Sequence, residues 1–204
     1  TNVEIIPYAV GESRFVPKSP SFPNGREFTP NAGFDLKYTP GSGLTIDATF
    51  NPDFGQVEAD PAVLNLTTYE TFYPEKRPFF IEGSQIIRFT TFGDDFGPGL
   101  FYSRRLGRAL NVEPPDGGYV LNRPKFATIL GAAKISGKTE SGLSIGVLEA
   151  VTRKETATMV HKDGRRAEEV VEPMANYSLL RLRQDLLENS NVGMIVTSVN
   201  RDGK

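Results

Sequence analysis

Alternating apolar and polar positions dominate the C-terminal half of this 204-residue chain and predict β-strands there. The β-rich segments cover residues 125–138, 142–160, 165–186 and 191–200. They are separated by "TESG", "HKDG" and "LENS", whose residues tolerate tight or left-handed turns. The pattern therefore predicts an antiparallel meander.

Two of these segments are long for single strands. Residues 142–160 and 165–186 exceed the roughly 5 to 6 residues of globular strands and the roughly 9 to 11 that cross a bilayer. Such strands suit a tall barrel whose hairpins project past the membrane. Alternation places one set of side chains of residues 177–184 on one face (Tyr177, Leu179, Arg181, Arg183) and the rest on the other (Ser178, Leu180, Leu182, Gln184). A soluble sandwich with one wet face would show the same alternation.

The N-terminal half is less regular. Its pattern predicts a strand in residues 1–10 and a hairpin in residues 32–51, with "TPGSG" as the turn. Residues 11–31, rich in Pro, Gly and Ser, and residues 94–124 predict two long loops. Loops of that length usually carry a function or border a surface that has one.

One short helix is predicted between Asp60 and Pro74. Asp60 can cap the helix, and Pro61 can occupy its first position. Apolar side chains then recur on one face at Ala62, Leu66, Tyr69 and Tyr73. The predicted fold class is therefore all-β, an antiparallel meander, with a short helix and long loops near residues 60–125.

Composition removes several classes of function. The formal charge of −2 gives no electrostatic reason to expect a nucleic-acid partner. The absence of Cys and the presence of a single His, His161, exclude disulfides, thiolate metal sites and any two-histidine site. No run approaches the roughly 20 apolar residues of a spanning helix, whereas a membrane β-barrel, signalled by alternation alone, stays open.

The two ends of the chain suggest a piece of a longer protein. Thr1 is not an initiator Met, and the chain stops at "VNRDGK", where a strand reaches a turn signal. We therefore expect further segments outside the sequence given.

Carboxylates cluster in and before the stretch "TFYPEKRPFFIEG", residues 71–83. Glycoside hydrolysis needs two carboxyl groups on either side of the sugar bond, so a hydrolase is one hypothesis. The adjacent opposite charges of Glu75, Lys76 and Arg77 favour a self-neutralising ion network instead. The spacing lacks the regularity of a Ca²⁺ loop. The clustered acids are Asp53, Glu58, Asp60, Glu70, Glu75 and Glu82.

A compact basic cluster, Arg104, Arg105 and Arg108, lies in "YSRRLGR". Its guanidinium groups could meet an anionic ligand or pair with the carboxylates of the preceding cluster. The glycine-rich pieces lack the Gly-Lys-Ser/Thr ending of a phosphate loop, and a single His does not favour a Ser/His/Asp triad. We therefore assign no catalytic residue, metal ligand or cofactor from the sequence.

Three blocks together resemble one known family. They are "NPDFGQVEADPAVLNLTTYETFYPEKRPFFIEG", "LFYSRRLGR" and "ILGAAKISGKTESGLSIGVLEAVT". In composition and order they resemble the bacterial outer-membrane β-barrel proteins of unknown function (DUF5916-like) that carry a family 9 carbohydrate-binding-like domain upstream of the barrel. The resemblance covers most of the chain from Phe34 onward.

The resemblance implies that the chain is an early portion of a transmembrane β-barrel in the bacterial outer membrane. Residues 1–33 would be a lead-in strand and loop, residues 34–124 a first hairpin with an inward-folded loop region, and residues 125–204 long hairpins. The upstream binding domain and downstream strands would be missing. The partners expected are outer-membrane lipid and a glycan, with no nucleic acid.

Function is then expected to be binding or passage of a glycan or similar oligomeric nutrient, without catalysis. Alternatives are a carboxylate-dependent glycan hydrolase and a soluble β-sandwich binding module. The side chains expected to line a ligand path, or to form an ion network in the barrel lumen, are Glu70, Glu75, Lys76, Arg77, Glu82, Arg104 and Arg105.

Overall fold

The computed structural model describes residues 1–18, 23–52, 72–89, 99–187 and 189–203. Strands dominate these residues and pair only in antiparallel fashion, which confirms the all-β prediction. The predicted helix falls mostly on residues 60–71, outside the described residues. Its expected last positions, 72 and 73, are not helical.

The strands form a seven-stranded and a three-stranded sheet. The larger has the order β1-β2-β3-β5-β6-β9-β10, and the smaller has the order β4-β7-β8. In the described part of the chain no helix is long and apolar enough to cross a membrane. The strands are β1 Asn2–Phe15, β2 Arg26–Thr39, β3 Leu44–Phe50, β4 Tyr119–Asn122, β5 Ile129–Lys138, β6 Leu143–Thr152, β7 Glu155–Val160, β8 Arg166–Glu172, β9 Ala175–Leu186 and β10 Ser190–Arg201. The helical turns are α1 Pro78–Ile81, α2 Ser84–Ile87 and a 3-10 helix Ser103–Arg105.

The predicted hairpin turns are present at the glycine-containing stretches from which they were predicted. Gly41 and Gly43 of "TPGSG" have positive φ, as do Gly142 of "TESG" and Gly164 of "HKDG". In the last of these, the amide of Gly164 donates to the carbonyl of His161. Glycine adopts this left-handed backbone without a Cβ penalty, so the turn prediction holds for these connections.

The prediction of a loop over residues 11–31 is wrong at both of its ends. Strand β1 continues to Phe15, and β2 begins at Arg26, with the two paired along their whole length. Pro30 lies inside β2, in the part that pairs with β1 alone. A strand with a neighbour on one side only tolerates proline, because no second ladder needs its missing N–H.

The two long segments are each divided. The first breaks at residues 153–154 into β6 and β7, and the second at residues 173–174 into β8 and β9. Arg153 turns its amide to the carbonyl of Thr128, and Pro173 has no amide to donate. Strands β7 and β8 leave the large sheet and pair in the smaller one with β4. Strand β4 lies inside the predicted loop over residues 94–124.

The seven-stranded sheet has two chemically different faces. Cross-strand partners share a face, so the row Lys37, Asp47, Lys134, Leu148 and Leu179 defines what we call the inner face. Side chains of the intervening positions form the outer face. The alternation predicted for residues 177–184 is confirmed, since Tyr177, Leu179 and Arg181 are buried and their neighbours are only half-buried.

The main core lies on the inner face, beneath α1 and α2. Phe80 and Ile87 from these helical turns pack with buried Leu148 and Leu179 of the sheet. Gly146 allows this close approach, because a Cβ there would come within 3.1 Å of the Ile87 side chain. A smaller apolar cluster, which includes Val112, Ala157 and Met159, packs against the second sheet.

Candidate functional site

Residues 72–89, which we call the inward segment, cover the inner face, where α1 contacts β3 and α2 contacts β5, β6 and β9. Pro78 occupies the first turn of α1, where its missing N–H costs nothing. Gly83 separates α1 from α2 with a φ of 66°, a left-handed conformation that glycine adopts without a Cβ penalty. The segment therefore lies against the sheet instead of joining it as a strand.

Glu75 and Arg77 form a two-pronged ion pair inside this segment. Arg77 Nε donates to Glu75 Oε1 and Nη2 donates to Oε2, both at 2.7 Å. The same carboxylate accepts the backbone amide of Arg77 at 3.0 Å and the hydroxyl of Ser103 at 2.5 Å. Planar guanidinium and carboxylate groups match in this geometry, which makes the pair both strong and directional.

Arg77 also joins the inward segment to the 3-10 helix. Its Nη1 donates to the carbonyl of Leu106 at 2.6 Å, and its Nη2 donates to the carbonyl of Ser103 at 2.7 Å. The guanidinium lies 4.3 Å from the ring centroid of Phe80. Because Arg77 is 4% exposed, these bonds replace nearly all of its hydration.

The surroundings of Glu75 favour its ionised form. Burial opposes ionisation, yet the bonds from Arg77 and Ser103 and the charge of Arg77 outweigh it. The pKa of the Glu75 carboxyl therefore lies below its usual range. A general acid needs a raised pKa, so Glu75 is poorly suited to that role.

A second buried cation, Lys134, holds α1 to the sheet. Its Nζ donates to the carbonyls of Phe79 and Glu82, each at 2.6 Å, and lies 3.4 Å from Asp47 Oδ2. The ammonium is also 4.8 Å from the Phe79 ring centroid. Lys134 is 1% exposed, so one lysine side chain connects β5, β3 and the inward segment.

Sequence reasoning missed this pair. Asp47 and Lys134 stand in mid-strand, at inward positions within "LTIDATF" and "ILGAAKISGK". A charged residue at such a position is a signal for a buried partner, because lone buried charges are costly. The register that brings the two strands together could not be read from a single sequence.

The contacts seen among the described residues join only some of the predicted site residues. Glu82 pairs with Lys37 of β2 rather than with Arg77. Arg104 and Arg105 lie on the 3-10 helix that Arg77 contacts, Arg104 half-buried and Arg105 exposed. Lys76 donates its backbone amide to Glu75 and is half-buried. Glu70 lies outside the described residues, and the use of this set as a ligand path or lumen network stays a prediction.

Several of the described carboxylates are engaged by cations. Besides the pairs of Glu75 and Glu82, buried Glu172 of β8 accepts a 2.6 Å bond from Arg108, which belongs to the predicted basic cluster. Within the ranges that the structure describes, no three carboxylate or imidazole side chains converge as ligands for a metal ion. The arrangement can fix the inward segment in place and can present polar and aromatic groups beside it.

Comparison with known proteins identifies the family. The family model DUF5916, a domain of unknown function, matches residues 1–204. No curated protein and no solved structure matches the chain. The match covers the whole sequence given, and the chain therefore belongs to the DUF5916 family.

Proposed function

We propose that this chain forms part of the wall of an outer-membrane β-barrel that binds or passes a glycan or similar oligomeric nutrient. The observation that carries the proposal is an unbroken apolar row across the outer face of the large sheet. This row runs through Val3, Tyr38, Ile46, Ile135, Val147, Leu180 and Val196, one residue from each of the seven strands.

The outer face is exposed as well as apolar. Val3 is 64% exposed and Val196 is 53% exposed, and the five central members of the row are half-buried. A contiguous apolar surface of this extent is unusual on a protein in water and typical of a membrane or interaction surface. Lipid-facing strands of a barrel present such a band.

The inner face differs because it holds charged groups beside the apolar core. The corresponding inner row contains Lys37, Asp47 and Lys134 next to the buried Leu148 and Leu179, and the inward segment covers it. A membrane barrel places apolar side chains outward and polar groups inward. The support for this proposal is thus the contrast between two faces of the same strands.

The glycan part of the proposal draws on an aromatic pair at the start of the inward segment. Phe72 and Tyr102 meet edge to face with ring centroids 5.3 Å apart, and Phe72 is 41% exposed. The Tyr102 hydroxyl donates to the carbonyl of Tyr73 and accepts from its amide, which fixes the ring. Rigid, partly exposed aromatic faces offer a packing surface for the apolar side of a sugar ring.

The alternatives have less support. Glu75 and Glu82, the described members of the acidic cluster, are each paired with a cation rather than facing one another across a cleft. Asp53, Glu58, Asp60 and Glu70 lie outside the described residues. In a sandwich, a second sheet would cover the inner face, whereas the core here is formed with α1, α2 and residues near the 3-10 helix.

The membrane proposal can be tested because the chain contains no Cys. Single-cysteine variants along β10, each carrying a spin label in liposomes, would report access to lipid-soluble oxygen and to an aqueous nickel complex. We expect oxygen to reach positions Val192, Met194 and Val196 more readily than Ile195 and Thr197. High nickel access at all three outer positions would refute the membrane wall. Binding of a glycan library in detergent is a separate test of the ligand.

A further inference from the structure

Arg181 of β9 is a buried cation whose bonds do not satisfy it. It is 8% exposed, and its Nη1 donates to the carbonyls of Leu182 at 2.5 Å and Met194 at 3.1 Å. Its Nε is buried and has no hydrogen-bond partner. The guanidinium lies 4.8 Å from the ring centroid of Phe89, at the end of the inward segment. A buried donor left without an acceptor is costly, so an acceptor supplied by a ligand would stabilise it.

The charges around Arg181 do not balance. Among the described residues, no carboxylate bonds to it. Arg183 lies on the same face, two residues and about 7 Å further along the strand. The nearby Asp185 is held by Lys138 at 2.5 Å and lies 3.4 Å from Arg183. Among the residues that the structure describes, this end of the inner face thus has three cations and one carboxylate, which is already engaged.

Gly193 of β10 makes room for the guanidinium. A Cβ at Gly193 would stand 2.4 Å from Arg181 Nη1, so the arginine lies directly over the glycine backbone. Any side chain there would displace the guanidinium. The position of Arg181 is therefore set by the sheet and does not depend on a flexible surface loop.

From this geometry we propose that Arg181 and Arg183 form a binding site for an oxyanion, a carboxylate or phosphate group of a ligand that reaches the inner face. Guanidinium forks bind such groups through parallel, charge-assisted hydrogen bonds. Arg181 supplies a rigid donor in a poorly hydrated position, and Arg183, whose side chain is 45% exposed, supplies a cation at the entrance. The site stands whether or not the outer face meets lipid.

Inorganic phosphate is the probe, added to the purified full chain labelled with ¹⁵N-arginine. The Nε–H resonance of Arg181, assigned by its loss in Arg181→Lys, reports directly on the donor that lacks a partner. We expect a saturable shift of this resonance with phosphate and not with chloride at equal ionic strength. A response to phosphate no larger than that to chloride would overturn the proposal.

Three variants separate a built site from general charge attraction. Gly193→Ala keeps both arginines but moves the Arg181 guanidinium, and Arg183→Gln removes the outer charge from an exposed side chain. Each should weaken phosphate binding about tenfold or more, the change expected when one charge-assisted bond is lost. Arg201→Gln, on the exposed far end of β10, should leave it unchanged. Equal binding by Arg183→Gln and the unaltered chain would refute the site, even if Gly193→Ala failed to fold.

Discussion

The ammonium of Lys134 and the carboxylate of Asp47 face each other at 3.4 Å across the pair formed by β5 and β3, beneath the inward segment. The same ammonium donates to the carbonyls of Phe79 and Glu82. One buried charge thus couples the pairing of two strands to the docking of α1. The stability of both features should depend on this side chain.

Replacing Lys134 by Met keeps most of the volume and removes the charge. It leaves Asp47 buried without its cation and two carbonyls without a donor. We expect a loss of about 3 to 5 kcal/mol in the free energy of unfolding, as for other buried pairs that lose one partner. Urea unfolding followed by circular dichroism measures it.

The matched control is Lys138→Met on the same strand. Lys138 also pairs with a carboxylate, Asp185, but its side chain is 51% exposed. Its loss should cost much less than that of Lys134, because a solvent-exposed ion pair contributes little to stability. Adding Asp47→Leu to Lys134→Met should restore part of the stability by removing the unpaired carboxylate. Equal effects of the two lysine substitutions would contradict the role given to Lys134.

Substitution of Arg77 should impair folding before it affects any ligand. Arg77→Ala removes the pair with Glu75 and the bonds to Ser103 and Leu106, with an expected cost of about 3 kcal/mol or more. Arg77→Lys should retain only part of this stability, because an ammonium cannot reproduce the planar guanidinium fork. Yield of folded protein and protease resistance of residues 72–89 are the measurements. Normal assembly of Arg77→Ala with a selective loss of ligand passage would reverse this ranking.

Glu75 should make the fold sensitive to acid. Since its pKa is lower in the folded chain, its ionised form contributes stability that is fully present above the unfolded pKa of about 4.3. That contribution is lost as the pH falls from there through the folded pKa. Unfolding free energies from pH 7 to pH 3 should therefore decline more steeply for the unaltered chain than for Glu75→Gln. If the free energy of unfolding had the same pH dependence in both proteins, the ionised Glu75 carboxylate would not be stabilised by its partners.

Gly83 should tolerate no side chain. Its φ of 66° is left-handed, and a Cβ would stand 2.5 Å from Ser136 Oγ, so Gly83→Ala adds crowding to backbone strain. Gly41→Ala is the control, because its φ is 87° and no atom lies within 4 Å of the added Cβ. We expect the control to lose about 1 to 2 kcal/mol from strain and Gly83→Ala to lose more. Adding Ser136→Gly to Gly83→Ala removes the crowded side chain. The double variant should then lose about as much stability as Gly41→Ala.

Local rules predicted much of the strand content. Glycine turns and alternation place β5, β6, β9 and β10 because both signals act over a few residues. The same rules failed at residues 11–15 and 26–31, where pairing between β1 and β2 overrode proline and glycine content. They also could not show that residues 153–154 and 173–174 divide the long hairpin, since the bond from Arg153 to Thr128 is distant in sequence.

The candidate site was predictable only where it is local. The pair of Glu75 and Arg77 joins residues two apart, and the adjacent charges signalled it. The partners of Lys134 and Arg181 depend on which strands lie side by side. A single sequence contains the charged residues, but it does not show the strand register that brings them together. The structure thus adds the long-range contacts that make buried charges interpretable.

Along the chain, the inward segment lies between β3 and β5. This position has a consequence for the order of folding. These two strands are neighbours in the sheet, yet residues 51–128 separate them in the chain. Hairpins with short turns can form early, whereas closing a long intervening stretch carries a larger entropic cost. We therefore expect β1-β2-β3 and β5-β6-β9-β10 to form as separate blocks and to join last along the β3–β5 seam, where Asp47 meets Lys134.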